Sequence, residues 1–172
     1  MDANYPRLMA AYNRWMNERL YAACDRLDDT TRHADLGAFF KSIHATLDHL
    51  LWGDTAWFNR LQQQPVELPP LGTLLCPDWD DLKAARASLD EQLVEWADGL
   101  TESWLAQQFS FTSRLYQREF TQPRWVFVTH FFNHQTHHRG QLTTLLAQLD
   151  IDFGITDLPM LPELADPDWL TH

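Results

Sequence analysis

The chain has 172 residues and a formal charge of −11, with 24 acidic against 13 basic side chains. It carries no basic block, which argues against nucleic acid and an anionic membrane surface as partners. With 45% apolar residues, six Gly and nine Pro, it reads as one globular domain over residues 1–172, long enough to bury a real core.

The opening stretch, Met1-Asp2-Ala3-Asn4-Tyr5-Pro6, has no basic n-region and no apolar h-region, so it does not read as a signal peptide. No apolar run approaches the roughly 18 residues of a membrane span. The two cysteines, Cys24 and Cys76, lack zinc-like or redox-like spacing. So sparse a pair points to a reducing compartment, and the expected location is the cytoplasm.

A first helix is predicted from about Pro6 to Leu27. Tyr5, Met9, Tyr12, Met16, Leu20, Ala23 and Leu27 recur at steps of three and four. Asn13 and Asn17 share a neighbouring face, exposed or bonded to another helix. Asp28-Asp29-Thr30-Thr31 ends this helix. A second starts with Asp35 as N-cap and runs to about Gln62. Leu36, Phe39, Ile43, Leu47, Leu50, Trp57 and Leu61 form its apolar face. His49 lies on the flank of that face beside Ser42, Ala45, Gly53 and Ala56. Asp54 points with the apolar stripe, so it should be buried and needs a partner.

The segment from Gln63 to Pro77 is rich in proline and reads as a connector across one end of a bundle. Asp78 caps a third helix, with Asp80 and Asp81 in its first turn and Gly99 as its stop. Thr101 to Gln107 adds a short helical turn. The period then changes to two: Phe109–Thr112 and Tyr116–Phe120 predict a hairpin. A fourth helix starts near Gln122-Pro123, with proline at its first position, and ends near Leu149. The tail, Asp150 to His172, is mostly irregular. Four long helices with a hairpin before the last predict an all-α four-helix bundle, whose facing helices can build a core metal site.

Four of the eight histidines fall between His130 and His138. At 100° per residue, His138 stands about 40° from His134, inside the core-facing stripe, with His130 and His137 on its edge. Two stacked imidazoles need partners for their polar nitrogens, and one metal ion satisfies both. A site with open positions needs a third protein ligand. His49 suits by height: it lies near the middle of the second helix, as His134 and His138 do in the fourth. His44 lies lower and on the opposite side of its helix, and His33 and His172 sit outside the helices. Arg139 is expected to pair with a carboxylate. Gly140 costs about 1 kcal/mol inside a helix, which makes sense if a neighbour comes close there. Gln135 stands where a His-Glu-x-x-His metalloprotease has its base, so a peptidase of that type is not expected.

Several pieces together resemble the DinB/YfiT family of metalloenzymes. They are Tyr12-Asn13-Arg14-Trp15-Met16-Asn17-Glu18-Arg19-Leu20, then His49-Leu50-Leu51-Trp52-Gly53-Asp54-Thr55-Ala56-Trp57. The most specific is Asn133-His134-Gln135-Thr136-His137-His138-Arg139-Gly140-Gln141-Leu142. Asp150-Ile151-Asp152-Phe153-Gly154 and Thr156-Asp157-Leu158-Pro159 close the match. The resemblance implies a four-helix bundle, often a homodimer, with a divalent ion such as zinc or nickel on His49, His134 and His138. Some relatives use low-molecular-weight thiols as S-transferases or isomerases.

Two functions follow as expectations. One is a metal-dependent enzyme, thiol transfer first and hydrolysis second, with Asp54 and Gln141 supporting the ligands. The other is a stress-related structural dimer with a static or absent metal, using Trp52, Trp79 and Trp104 at a helix interface.

Overall fold

A computed structural model describes residues 1–113 and 116–170. The helices are α1 (Asn4–Cys24), α2 (Asp29–His33), α3 (Ile43–Leu61), α4 (Trp79–Asp98), α5 (Glu102–Ala106) and α6 (Arg124–Gln148). Strands β1 (Gln108–Ser113) and β2 (Arg118–Pro123) form an antiparallel hairpin between α5 and α6, with Phe111 opposite Phe120. The chain is thus mostly helical with one short hairpin, as its periodicity predicts. Among the described residues no helix is long and apolar enough to cross a membrane.

Helix ends follow local capping chemistry. The Asp78 carboxylate accepts from the Asp80 and Asp81 amides at 2.9 and 3.1 Å, as expected of an N-cap. Asp28 does not simply end α1. Its carboxylate accepts from the Thr31 amide and starts α2. The second long helix begins later than predicted, because Ser42, not Asp35, caps α3 through Ala45. Asp35 instead accepts from the Gly37 amide in a turn. Gly37 at φ 78° and Lys41 at φ 71° are left-handed, so helical backbone cannot pass through them. Pro123 ends β2 and caps α6, whose first residue is Arg124.

Paired side chains give the helix directions. Arg7 meets Asp98 and Tyr21 stacks on Trp79, so α1 and α4 run antiparallel. His49 meets His138 while Trp57 meets Phe127, so α3 and α6 are antiparallel as well. Asp54 pairs with Arg86 and Phe58 with Trp96, which makes α3 and α4 parallel. Two parallel neighbours need a connection that returns the length of the bundle. The segment 62–78 therefore does not cross one end. It runs back along α3: Trp52 donates to the Pro69 carbonyl, and Asp48 accepts from the Leu75 and Cys76 amides.

The core is apolar around Leu20, Leu47, Leu82, Leu93, Phe131, Phe132 and Leu142, all fully buried. A polar cluster is embedded in it. Asp54 is buried, as expected, and pairs with Arg86 at 2.6 Å. Arg86 also reaches Asp90 at 2.8 Å, and the amides of Asn13 and Asn17 donate to Asp90. The asparagines thus bond between helices. Arg139 corrects the expectation of a carboxylate partner: it donates to Asn13 and to Thr136 and lies over the Tyr12 ring.

The tryptophans named for an interface are engaged within the chain. Trp79 is buried, and its indole donates to Asp25. Trp104 packs edge-on against Trp96, and Trp52 holds the returning connection. The tail lies along α1, where the Tyr12 hydroxyl donates to the Thr156 carbonyl and Arg14 pairs with Glu163.

Candidate metal centre

The antiparallel pair α3 and α6 brings His49, His134 and His138 together. One ring nitrogen of each lies within 4.8 Å of those of the other two. His134 Nε2 and His138 Nε2 are 3.1 Å apart. The i,i+4 spacing on α6 supplies this pair, and the facing helix supplies His49. Ligand nitrogens around a tetrahedral zinc ion stand about 3.3 Å apart, from metal–nitrogen distances of about 2.0–2.1 Å. The triad therefore fits one ion with small side-chain adjustments.

The protonation states fit too. Burial first, then the neighbouring His138, lowers His49 to about 4. Burial, followed by repulsion from His138 and His49, lowers His134 to about 3. Burial also depresses His138. All three rings are neutral near pH 7, the form that ligates metal. His138 Nδ1 lies 2.8 Å from Gln141 Oε1. With Nδ1–H donating to that oxygen, the Nε2 lone pair faces His134. This is how a hydrogen-bonded partner fixes a ligand's tautomer. His134 Nδ1 is buried without a hydrogen-bond partner among the described residues, so the present contacts leave this ring incompletely satisfied.

Two neighbours escape a sequence reading. Phe40 stacks on His49 with ring centroids 3.9 Å apart and meets His138 edge-on at 5.5 Å. It covers one side of the triad and limits water there. Its position depends on the turn at residues 35–42, where the Leu36 amide donates to the Lys41 carbonyl. Gly53 is the second. A Cβ there would stand 2.9 Å from His134 Cε1, whereas one at Gly140 would meet open space. The close approach expected at Gly140 occurs at Gly53.

A Gly53→Ala substitution therefore displaces the His134 ring. Metal affinity should fall about 10- to 100-fold, the range seen when ligand support is disturbed. Alanine adds about 1 kcal/mol of helix propensity, offsetting part of the strain. The loss should thus appear more in metal competition against a chromophoric chelator than in the melting temperature. Wild-type affinity in Gly53→Ala would contradict this packing argument.

The remaining candidates lie outside the triad. His130 is exposed and sits edge-on to Trp57. His137 is exposed and contacts His138 and Gln141. His44 is buried with Nε2 on the Cys76 carbonyl, and its ring stacks on His33. His172 lies outside the described residues. Gln141 touches a triad ring, whereas Asp54 is tied to Arg86 instead.

The fold resembles a crystal structure of a DinB-like protein from Bacillus cereus. The two share 18% identity and a TM-score of 0.60, over 81% of this chain and 89% of that one. No curated protein matches the chain. The DinB family profile matches residues 1–169, nearly the whole sequence, and on that match the chain belongs to the DinB family.

Proposed function

We propose that the protein is a divalent-metal enzyme, with His49, His134 and His138 holding zinc or nickel, that transfers a low-molecular-weight thiol to an electrophile. The convergence of three neutral imidazoles from two facing helices carries this reading. A bound divalent ion would supply positive charge that lowers the pKa of a thiol or water at its open side.

The protein's own groups do the rest. Gln141 orients His138, Gly53 makes room for His134, and Phe40 shields His49 from solvent. Among the described residues, no hydrogen bond or ion pair joins a carboxylate to any of the three histidines. That favours a thiol over water, because a thiolate needs no separate strong base once its pKa is lowered. Hydrolysis ranks second for the same reason.

Cys24 and Cys76 are free, which suits a reducing cytoplasm. Membership of a homodimer rests on the family resemblance, and sedimentation at micromolar concentration checks it.

The test is turnover by protein reconstituted with zinc or nickel, using glutathione and cysteine as thiols and an activated aryl halide as electrophile. The expected result is thioether formation that a chelator abolishes and the metal restores. Thiol-independent ester hydrolysis with the same metal dependence would move the assignment to a hydrolase. A protein that retains no metal, or turnover indifferent to chelation, would overturn the reading.

A further inference from the structure

One cavity lies away from the histidines. It lies at the other end of α3, beside the C-terminal end of α4 and the start of α6, and holds about 520 Å³. From His49 to Leu61, α3 rises about 18 Å at 1.5 Å per residue, so this is a separate place. Its volume is in the range of small-molecule sites, about 300–1,000 Å³.

Leu61 and Leu100 are buried in its floor, and Trp96 and Trp104 stand edge-on with ring centroids 6.0 Å apart. Arg124, the first residue of α6, lies 4.4 Å above the Trp104 ring. Its Nε is buried and has no hydrogen-bond partner among the described residues. Among the described residues no ion pair reaches this guanidinium, although the chain has 24 acidic side chains.

We infer that this cavity binds a small aromatic carboxylate. A planar guanidinium matches a carboxylate as a two-point fork. The two tryptophans line the cavity with apolar indole surface against which an aromatic ring can pack. Glu95 also lines the cavity, but it is exposed and solvated. The desolvated Arg124 Nε has the larger unmet demand, so the site prefers an anion. A neutral aromatic leaves that donor unmet, and a cation is repelled by it. The site is independent of the metal reading.

The experiment follows the indole N–H signals of the intact protein by NMR, titrating trans-cinnamate and, in parallel, neutral cinnamamide. Trp96 and Trp104 should shift saturably with cinnamate, at least about tenfold more tightly than with the amide. The same dissociation constant should appear with and without metal. Arg124→Gln should weaken cinnamate at least about tenfold. Glu95→Gln, an exposed substitution that spares the fold, should tighten it by removing like charge. Equal binding of acid and amide overturns the inference. So do full-strength binding in Arg124→Gln, weaker binding in Glu95→Gln, and no saturable shift.

Discussion

His134→Ala should leave the protein nearly metal-free. Elemental analysis should fall from about one ion per chain in the wild type to a small fraction, with His49→Ala and His138→Ala behaving alike. The magnitude follows from sharing. A structural four-ligand zinc site is worth about 10–16 kcal/mol, so one imidazole carries roughly 3 kcal/mol, or about a hundredfold in affinity. His138 stands closest to both of the others, with ring centroids 4.4 Å from His134 and 4.7 Å from His49, so its loss should be at least as damaging. Added zinc should raise the melting temperature of the wild type through mass action and lose that effect in each variant. His130→Ala and His137→Ala supply the contrast and should keep their metal. If all three triad variants retain stoichiometric metal, the ligand set is wrong.

Arg86→Met should destabilise the fold by about 3–5 kcal/mol, the usual loss when one partner of a buried ion pair is removed. The reason is what stays behind: Asp54 and Asp90, both buried, lose the cation between them. Arg139, tied to Asn13 and Thr136, does not replace it.

The loss should also depend on pH. In the wild type, burial raises Asp54 to about 6, outweighing the pull of Arg86 in the other direction. Removing Arg86 removes that opposing pull, so the carboxyl rises further. A carboxyl whose folded pKa exceeds its unfolded value of about 3.9 favours the folded state at low pH. That contribution is lost as pH rises through the folded pKa. Arg86→Met should therefore be more damaged at pH 8 than at pH 5 in urea titrations, and Asp54→Asn in that background should recover part of the stability. A variant equally unstable at both pH values would mean that Asp54 is not the stranded group.

Much of this arrangement is legible in the sequence because it is written locally. The three- and four-residue apolar spacing marks the long helices, and the Asp78 cap marks the start of α4. Asp54 on an apolar stripe announces a buried carboxylate in need of a partner, though not that the partner is Arg86. His134 and His138 share a face by spacing alone. His49 joins them although its helix starts at Ile43 and not near Asp35. That later start has a physical cause. Leu36, Phe39 and Ile43 keep helical spacing, but the backbone at Gly37 and Lys41 breaks the helix and Ser42 restarts it. Helical spacing therefore does not place Phe40 over the triad. The parallel course of α3 and α4 was equally hidden, because it depends on how a proline-rich connection packs. Gly53 and Gly140 show the same limit: both are helical glycines, and only the facing helix tells which one is needed.

The neighbour relations of the four long helices also impose an order of assembly during synthesis. Arg139 reaches Asn13 across 126 residues of sequence, about 6–25 s of translation at roughly 5–20 residues per second. Until α4 ends at Asp98, α1 has neither of its neighbours; after that Asn13, Asn17 and the apolar face around Met16 can meet α4 but still await α6. His49 likewise leaves the ribosome long before His134 and His138. Under the proposed reading, a metal ion therefore has no three-histidine site to enter until α6 has docked. It latches a bundle that has already closed and does not nucleate one.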